Sequence, residues 1–278
     1  GSRGQFYTKE ELIALVDYAG ERGVRIVPEF DMPGHTTAWM ASHPELATVT
    51  TKTYEPSLRF GTEGTNEDVF DPTNPKLLKL IDRLVGDMTE IFPDEYFHIG
   101  GDEVVYTQWS NNPAITEFRR QHNLTDGKAL QAWFNTELAK VLKKHHRRMV
   151  GWNEILHGEI PQDTVIQDWI GVEALQESVQ RRFHVIISLG YYLDWMMPAW
   201  YHYGIDPLRP DPASADPLIA EADFEKFQQL RADQQKAVNL PAGSEKYVLG
   251  GEAAEWTELS GPWNVEAVLW PRLGEIGR

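Results

Sequence analysis

Short apolar runs alternate with amphipathic helical segments along this chain, and the alternation predicts an α/β fold with a parallel sheet. Aromatic or acidic residues follow most predicted strands, which predicts one functional face at their carboxyl ends. Together these observations favour a (β/α)8 TIM-type barrel in one domain, residues 1–278. About six of the eight strands are predicted, and the chain opens on a helix, so we expect an incomplete barrel without its first two strands. The alternative is an open doubly wound sheet, which tolerates six strands.

The first predicted unit is a helix, a strand and a loop. Thr8 begins a capping box ahead of an amphipathic helix. Residues 24–30 form an apolar run that predicts a strand, and residues 31–35, Asp-Met-Pro-Gly-His, follow it as a polar loop. The loop carries two candidate site residues, Asp31 and His35.

A long loop and a helix are predicted next. Residues 41–74 contain no long periodic segment and many Thr, Pro, Gly and Asn residues, and extended loops of this kind are often functional. Asn74 as N-cap and Pro75 at the first helical position then begin a helix with a buried apolar stripe, which ends at Pro93.

Residues 96–103, Tyr-Phe-His-Ile-Gly-Gly-Asp-Glu, form an apolar and aromatic run that breaks at two glycines and ends in two carboxylates. Strand side chains alternate between faces, and glycines release the backbone from that alternation. Asp102 and Glu103 therefore follow a strand on a backbone that can aim both carboxylates at one place. An arbitrary Asp-Glu pair is usually a solvated surface feature, but a buried strand and a double glycine favour a functional site.

The rest of the chain continues the alternation up to a last strand and an acidic loop. A Pro- and Asp-rich excursion over residues 206–217 and a charged helix to about residue 237 precede that strand. The other predicted elements are helices at 128–146 and 172–181 and strands at 149–154, 164–169, 183–188 and 247–251.

Composition excludes several function classes. A formal net charge of -16 and a pI near 5.0 argue against nucleic acid or an anionic membrane as partner. The absence of cysteine excludes disulfides, thiolate nucleophiles and Cys-based zinc sites. Because no phosphate-binding glycine loop and no His or carboxylate cluster with ligand spacing is present, we expect no cofactor and no catalytic metal. We expect a secreted or periplasmic location in preference to a cytoplasmic one.

Five short motifs stand at or after predicted strands. They are Val-Pro-Glu-Phe-Asp-Met-Pro-Gly-His at 27–35, His-Ile-Gly-Gly-Asp-Glu at 98–103, Trp-Asn-Glu at 152–154, Tyr-Leu-Asp at 192–194 and Trp-Thr-Glu at 256–258. In this order they resemble the motif series of the β-N-acetylhexosaminidases of glycoside hydrolase family 20. The resemblance covers roughly residues 7–272. It also implies that an arginine that grips the sugar and an aspartate that pairs with the loop histidine belong to the two strands not found here.

The resemblance implies an exo-acting enzyme that releases terminal N-acetylglucosamine or N-acetylgalactosamine with retention, from an oligosaccharide or glycoconjugate. Two adjacent carboxylates cannot flank a glycosidic bond from two sides, and this family is a substrate-assisted exception to the two-carboxylate scheme. The substrate's own acetamido oxygen would attack and form an oxazolinium intermediate. Glu103 would act as general acid and then base, Asp102 would hold the acetamido N–H, and Tyr192 would donate to the carbonyl oxygen.

The remaining predicted site residues bind or support. By resemblance Trp152, Trp169 and Trp256 form an aromatic box round the acetamido methyl; the alternative is ordinary core packing, since Trp buries readily at strand ends. The other acids and the loop histidine also have bland alternatives as solvated or structural side chains. By resemblance, Asp194 and Glu258 accept hydrogen bonds from sugar hydroxyls, His35 is a relay beside the acid, and Asp31 supports that loop.

Two further functions stay open on the residues alone. The first is a carbohydrate-binding fragment that keeps the appearance of the site without turnover. The second is a metal-dependent barrel hydrolase, which a chelator would inhibit.

Overall fold

The computed structural model describes residues 6–55, 67–194, 197–203, 205–208, 240–257 and 260–277. The chain divides into two compact units, Gly1–Thr164 and Val165–Arg278. The assignment of all 278 residues to one domain stays a prediction.

The first unit alternates helices with two strands. Thr8 closes a capping box with Glu11 at its start, as predicted. Asn74 accepts the N–H of Lys76 as the predicted N-cap of a later helix. The elements are α1 (Lys9–Gly20), α2 (Thr37–Ser42), a 3-10 helix (Pro44–Leu46), α3 (Pro75–Thr89), β1 (Tyr96–His98), α4 (Thr107–Ser110), α5 (Pro113–Gln121), α6 (Gly127–Lys144), β2 (Arg148–Trp152) and a second 3-10 helix (Asn153–His157).

Parallel pairing aligns the strand ends of this unit. Strand β1 pairs with β2 from Tyr96 opposite Arg148 to His98 opposite Val150. On its other side β1 meets the predicted strand at 24–30, which is reduced to one parallel bridge between Glu29 and His98. Pro28 precedes that bridge, and its missing N–H limits the ladder. All three segments end at the same edge.

Helices α3 and α6 pack against each other and close the core of this unit. The buried side chains of α6 recur every fourth residue, which places them on one face. Full burial of each such side chain stabilises the fold by about 1.5–3 kcal/mol. The buried apolar residues of the two helices include Leu77, Ile81, Val85, Leu130, Phe134, Leu138 and Leu142.

A buried carboxylate fixes the loop that follows His35. Asp68 is 2% exposed and pairs with Lys52 at 2.6 Å, while Thr37 donates to its second oxygen at 3.3 Å. Gln108 of α4 adds a third bond at 3.2 Å. The predicted loop at 41–74 therefore holds more structure than expected: it includes the end of α2 and a 3-10 helix, and its residues 56–66 lie outside the described ranges.

The second unit repeats the strand–helix pattern. Strand β3 pairs in parallel with β4 from Val165 opposite His184 to Asp168 opposite Ile187, and β4 pairs in parallel with the last strand. The predicted charged helix to residue 237 falls outside the described residues. The elements are β3 (Val165–Asp168), α7 (Val172–Gln180), β4 (His184–Ile187), α8 (Ala199–Tyr203), a 3-10 helix (Glu245–Tyr247), β5 (Val248–Gly251), α9 (Val265–Leu269) and α10 (Arg272–Ile276).

Among the described residues, no helix combines the length and the apolar character that crossing a bilayer requires.

Candidate active site

The backbone turns sharply after β1 and sends two carboxylates toward the loop at 31–35. Gly100 and Gly101 have φ of 68° and 98°, in the left-handed region that glycine adopts without a Cβ penalty. A Cβ at Gly100 would overlap the carboxylate of Asp31. The double glycine therefore serves both the turn and the close approach of a third acid.

His35 lies between the two carboxylates of the predicted pair. Its Nε2 is 3.3 Å from Asp102 Oδ2 and 3.4 Å from Glu103 Oε2. The Asp102 side chain is 14% exposed, whereas that of Glu103 is 45% exposed. The two adjacent acids thus have different environments, one enclosed and one open to solvent.

Asp31 is the third acid of this cluster. Its Oδ1 accepts the backbone N–H of Gly101 at 3.0 Å. Burial, followed by the charge of Asp102 and a hydrogen bond with it, raises the pKa of Asp31 to about 9. At neutral pH Asp31 is therefore an uncharged acid whose O–H donates a hydrogen bond to the Asp102 carboxylate.

Asp102 and His35 are held as an ion pair. The hydrogen bond with Asp102 raises the pKa of His35 to about 9 against the effect of burial, and the neighbouring carboxylates add to the shift. Burial alone would raise the pKa of Asp102, but the hydrogen bond and charge of His35 and the bond from Asp31 lower it below its usual value. Asp102 is therefore an anion at neutral pH and His35 a cation.

The Asp31, His35 and Asp102 side chains also offer one ligand atom each within 4.8 Å of one another. Metal binding requires deprotonated ligands, and two of the three hold protons at neutral pH. A cation bound here would have to displace these protons. The expected absence of a catalytic metal stays a prediction.

Trp152 follows the same edge of the sheet. It is 3% exposed, and its Nε1 donates to Glu29 Oε1 at 3.0 Å. Its ring also meets His98 edge-on at 5.2 Å between centroids. Glu29 is not among the site residues that the sequence predicts, although an acid at the end of an apolar run is a signal that could have indicated it.

The second unit brings two further predicted residues together. Tyr192 and Trp256 lie 6.4 Å apart between ring centroids, Tyr192 being buried and Trp256 38% exposed. A parallel bridge between Tyr192 and Ala254 extends the pairing of β4 and β5 to this point. Trp169 and Asp194, each half-buried, also follow predicted strands, whereas Glu258 lies outside the described residues.

A polar trio at the strand ends of the second unit was also missed. Gln167 Nε2 donates to Ser188 Oγ and to Glu252 Oε1, both at 2.8 Å. The three residues come from the ends of β3, β4 and β5, so no local pattern joins them.

Comparisons with known proteins agree on one family. The profile of the glycosyl hydrolase family 20 catalytic domain matches residues 1–277. A beta-hexosaminidase of Porphyromonas gingivalis is 32% identical over 91% of this chain and 31% of its own length, and a beta-hexosaminidase subunit beta of Entamoeba histolytica is 33% identical over 90% of this chain and 43% of its own length.

Solved structures extend the likeness to the fold. A chitobiase of Flavobacterium johnsoniae superposes with a TM-score of 0.82 at 34% identity, over 99% of this chain and 38% of the chitobiase chain. An exo beta-N-acetylglucosaminidase of Vibrio harveyi, solved in complex with N-acetylglucosamine, gives a TM-score of 0.76 at 30% identity, over 98% of this chain and 41% of that one. The chain thus spans between 31% and 43% of the length of these relatives.

Proposed function

The chain belongs to glycosyl hydrolase family 20, whose catalytic domains are TIM barrels, and from this membership we propose that it is an exo-acting β-N-acetylhexosaminidase. The proposed reaction removes terminal non-reducing N-acetylglucosamine or N-acetylgalactosamine with retention, through attack by the substrate's own acetamido group. The proposed substrates are aminosugar oligosaccharides or glycoconjugates, and the proposed location is secreted or periplasmic.

One observation carries the proposal. The enclosed, anionic carboxylate of Asp102 and the solvent-exposed carboxylate of Glu103 both lie within 3.4 Å of His35 Nε2. Enclosed Asp102 suits a charge that must stay in place while positive charge develops beside it. Open Glu103 suits an acid that must reach the oxygen of the departing group. Adjacent carboxylates are poorly placed to act from two opposite faces of a sugar, which fits the family's scheme in which the substrate supplies the nucleophile.

The protonation states of Asp31, His35 and Asp102 fit the role proposed for Asp102. Asp102 would accept the acetamido N–H and stabilise the charge that grows as the acetamido oxygen bonds to the anomeric carbon. Neutral Asp31 and cationic His35 keep Asp102 ionised, which its task requires. Glu103 would give its proton to the leaving oxygen and then take one from the water that opens the intermediate.

The other roles rest on family membership and position. Tyr192 would donate to the acetamido carbonyl oxygen, and its neighbour Trp256 has enough exposed ring for an apolar sugar face. Trp152 and Trp169 would complete the aromatic box. Asp194 and Glu258 would accept hydrogen bonds from the sugar hydroxyls.

A pair of matched substrates tests the proposal. We expect the purified protein to release nitrophenol from the β-N-acetylglucosaminide or β-N-acetylgalactosaminide and not from the plain β-glucoside, which has no acetamido group. Equal rates on the glucoside would rule out substrate assistance. Sugar binding without turnover would favour a carbohydrate-binding fragment, an alternative that the family match does not favour. Loss of activity with a chelator would favour a metal hydrolase.

A further inference from the structure

The turn that carries the acid pair is conformationally strained. After the two left-handed glycines, Glu103 also has positive φ, at 49°. The left-handed region costs an L-residue about 1–2 kcal/mol, and such a conformation persists only when the surroundings over-determine it. The contacts that hold this backbone therefore decide where both carboxylates point.

Three side chains hold the turn by its backbone polar groups. Asp31 accepts the N–H of Gly101, and Glu154 accepts the N–H of Glu103 at 3.4 Å. The carbonyl oxygen of Gly101 accepts from Gln131 Nε2 at 2.7 Å. The bond from Gln131 is the shortest of the three and the one that immediately precedes the acid pair.

Gln131 is built to hold one orientation. It stands on α6 with 1% of its surface exposed. A carbonyl oxygen can only accept, so the amide must present its nitrogen to Gly101 and its oxygen to the other side. On that side Tyr106 donates its hydroxyl to Gln131 Oε1 at 2.6 Å. Tyr106 is itself placed by α6, because a Cβ at Gly127 would overlap its ring.

We propose that Gln131 is a positioning residue for the reaction and that Tyr106 orients it. The inference rests on the proposed function, since it assigns a task to the turn that carries Asp102 and Glu103. In this role Gln131 touches no substrate. It fixes the carbonyl of Gly101 and so sets the direction in which the next two side chains leave the strand.

A matched control stands one turn further along the same helix. Asn135 is also 1% exposed, and among the described residues neither its Oδ1 nor its Nδ2 has a hydrogen-bond partner. Asn135→Leu therefore changes a buried amide of α6 without touching the turn. Gln131→Met keeps the side-chain length and removes both bonds, whereas Gln131→Glu keeps an acceptor for Tyr106 and, in its ionised form, has no donor for Gly101.

Kinetics and amide exchange on the purified protein test the proposal. We expect Gln131→Met and Gln131→Glu each to lower kcat on the nitrophenyl N-acetylglucosaminide by about 10- to 100-fold, the scale on which a misplaced catalytic group costs rate. KM should stay near the wild-type value, because the sugar-binding side chains are unchanged. Tyr106→Phe should lose less, since the donor remains. In the two Gln131 variants hydrogen exchange in peptide 99–104 should be faster than in Asn135→Leu.

The outcomes separate the two claims. If the wild-type protein shows no activity on the N-acetylglucosaminide, the proposed function fails, and the exchange comparison alone decides on the positioning role. Equal exchange in Gln131→Met and Asn135→Leu, or equal kcat in an active protein, would overturn that role. Should the Gln131 variants not fold, Tyr106→Phe decides: an unchanged kcat and unchanged exchange in the turn would overturn the proposal.

Discussion

Two strands of the described chain lead into Gly-Gly followed by an acid, and the side chains that surround the two acids differ. After β1, Gly100 and Gly101 lead to Asp102, which meets His35 and Asp31. Strand β5, which pairs with β4, ends at Gly250 and Gly251, and Glu252 follows. Among the hydrogen bonds described for the Glu252 side chain, the donor is the amide of Gln167. The same local pattern thus gives a cluster of three titratable side chains at one end and, at the other, a carboxyl bonded to an amide.

The difference lies in what approaches each glycine pair. A Cβ at Gly100 would overlap Asp31, so the loop at 31–35 presses directly on that turn. Gly250 has φ of 137°, and among the described residues no atom lies within 4 Å of the position of a Cβ there, while a Cβ at Gly251 would meet the Tyr191 side chain first. A Gly-Gly-acid sequence permits a turn, and the loop packed against it determines the chemistry.

The largest expected effect contrasts the two acids. Asp102→Asn should lower kcat on the N-acetylglucosaminide by about 10²- to 10³-fold, as loss of a group aimed at developing charge does. KM should change much less, because the group acts mainly as the acetamido group polarises. Glu252→Gln keeps the shape and the bond partner of its site, so its kcat should stay far closer to wild type.

Steady-state kinetics on both variants check this. A loss in Glu252→Gln as large as in Asp102→Asn would mean that the two strand ends do equivalent work, and the contrast would be wrong.

Alanine at the first glycine of each pair sharpens the contrast in stability. Gly100→Ala adds a methyl group where Asp31 stands and strains a left-handed residue, and we expect it to lower the free energy of unfolding by about 2–4 kcal/mol. A Cβ at Gly250 has no described atom within 4 Å, so only the backbone penalty of about 1–3 kcal/mol applies to Gly250→Ala.

Urea unfolding midpoints of the two variants provide the measurement. A Gly100→Ala protein as stable as Gly250→Ala would show that Asp31 moves away at little cost, and the tight cluster described above would not hold.

The next-largest expected effect is a pH dependence of stability that comes from His35 in the cluster after β1. The pKa of His35 is raised from its ordinary 6.5 to about 9 in the folded protein. A raised pKa stabilises the fold fully below the unfolded value, and this stabilisation is lost as pH rises through the folded value. We therefore expect the thermal midpoint of the wild type to fall between pH 6.5 and about 9.

His35→Asn serves as the comparison, because it removes the titrating group and keeps a polar side chain. Its midpoint should fall less steeply over that interval in differential scanning calorimetry. Parallel curves for the two proteins would remove His35 as the source of the effect. The Asp31 carboxyl, whose pKa is also raised to about 9, should leave some residual slope.

How far the sequence alone reaches differs between the two strand ends. Local signals were sufficient for the helix caps at Thr8 and Asn74 and for the acid pair, since each depends on neighbours within a few residues. The family match confirms the predicted barrel class. The bond from Trp152 to Glu29 crosses 123 residues, and that from Gln131 to Gly101 crosses 30. Contacts of this length leave no periodicity in one sequence, so these partners could not be predicted.

Some misses had local signals. Helix α5 begins with Asn112 as N-cap and Pro113 at its first position, the same pattern that predicted α3, yet it was not predicted. The apolar content of residues 24–30 predicts a full strand, but the missing N–H of Pro28 reduces it to one bridge at Glu29. The catalytic and binding roles of the site residues stay predictions that the variants above test.

The smallest expected effect concerns Glu252 and its bond to Gln167 at the end of β5. Atoms round the Glu252 carboxyl desolvate it and raise its pKa, although the residue as a whole is exposed. The hydrogen bond from Gln167 acts in the opposite direction and lowers that pKa. Gln167→Met removes that bond and the one to Ser188, and a lost hydrogen bond of this kind costs about 0.5–1.5 kcal/mol. The folded pKa of Glu252 then rises further. A raised pKa takes stability away as pH increases above the unfolded value near 4.5, so Gln167→Met should lose more stability at pH 7 than at pH 5. Urea titrations at the two pH values measure this difference, and the double variant Gln167→Met with Glu252→Gln is the control that should abolish it. If Gln167→Met loses the same unfolding free energy at both pH values, the bond from Gln167 does not shift the pKa of Glu252, and its contribution to stability is independent of pH.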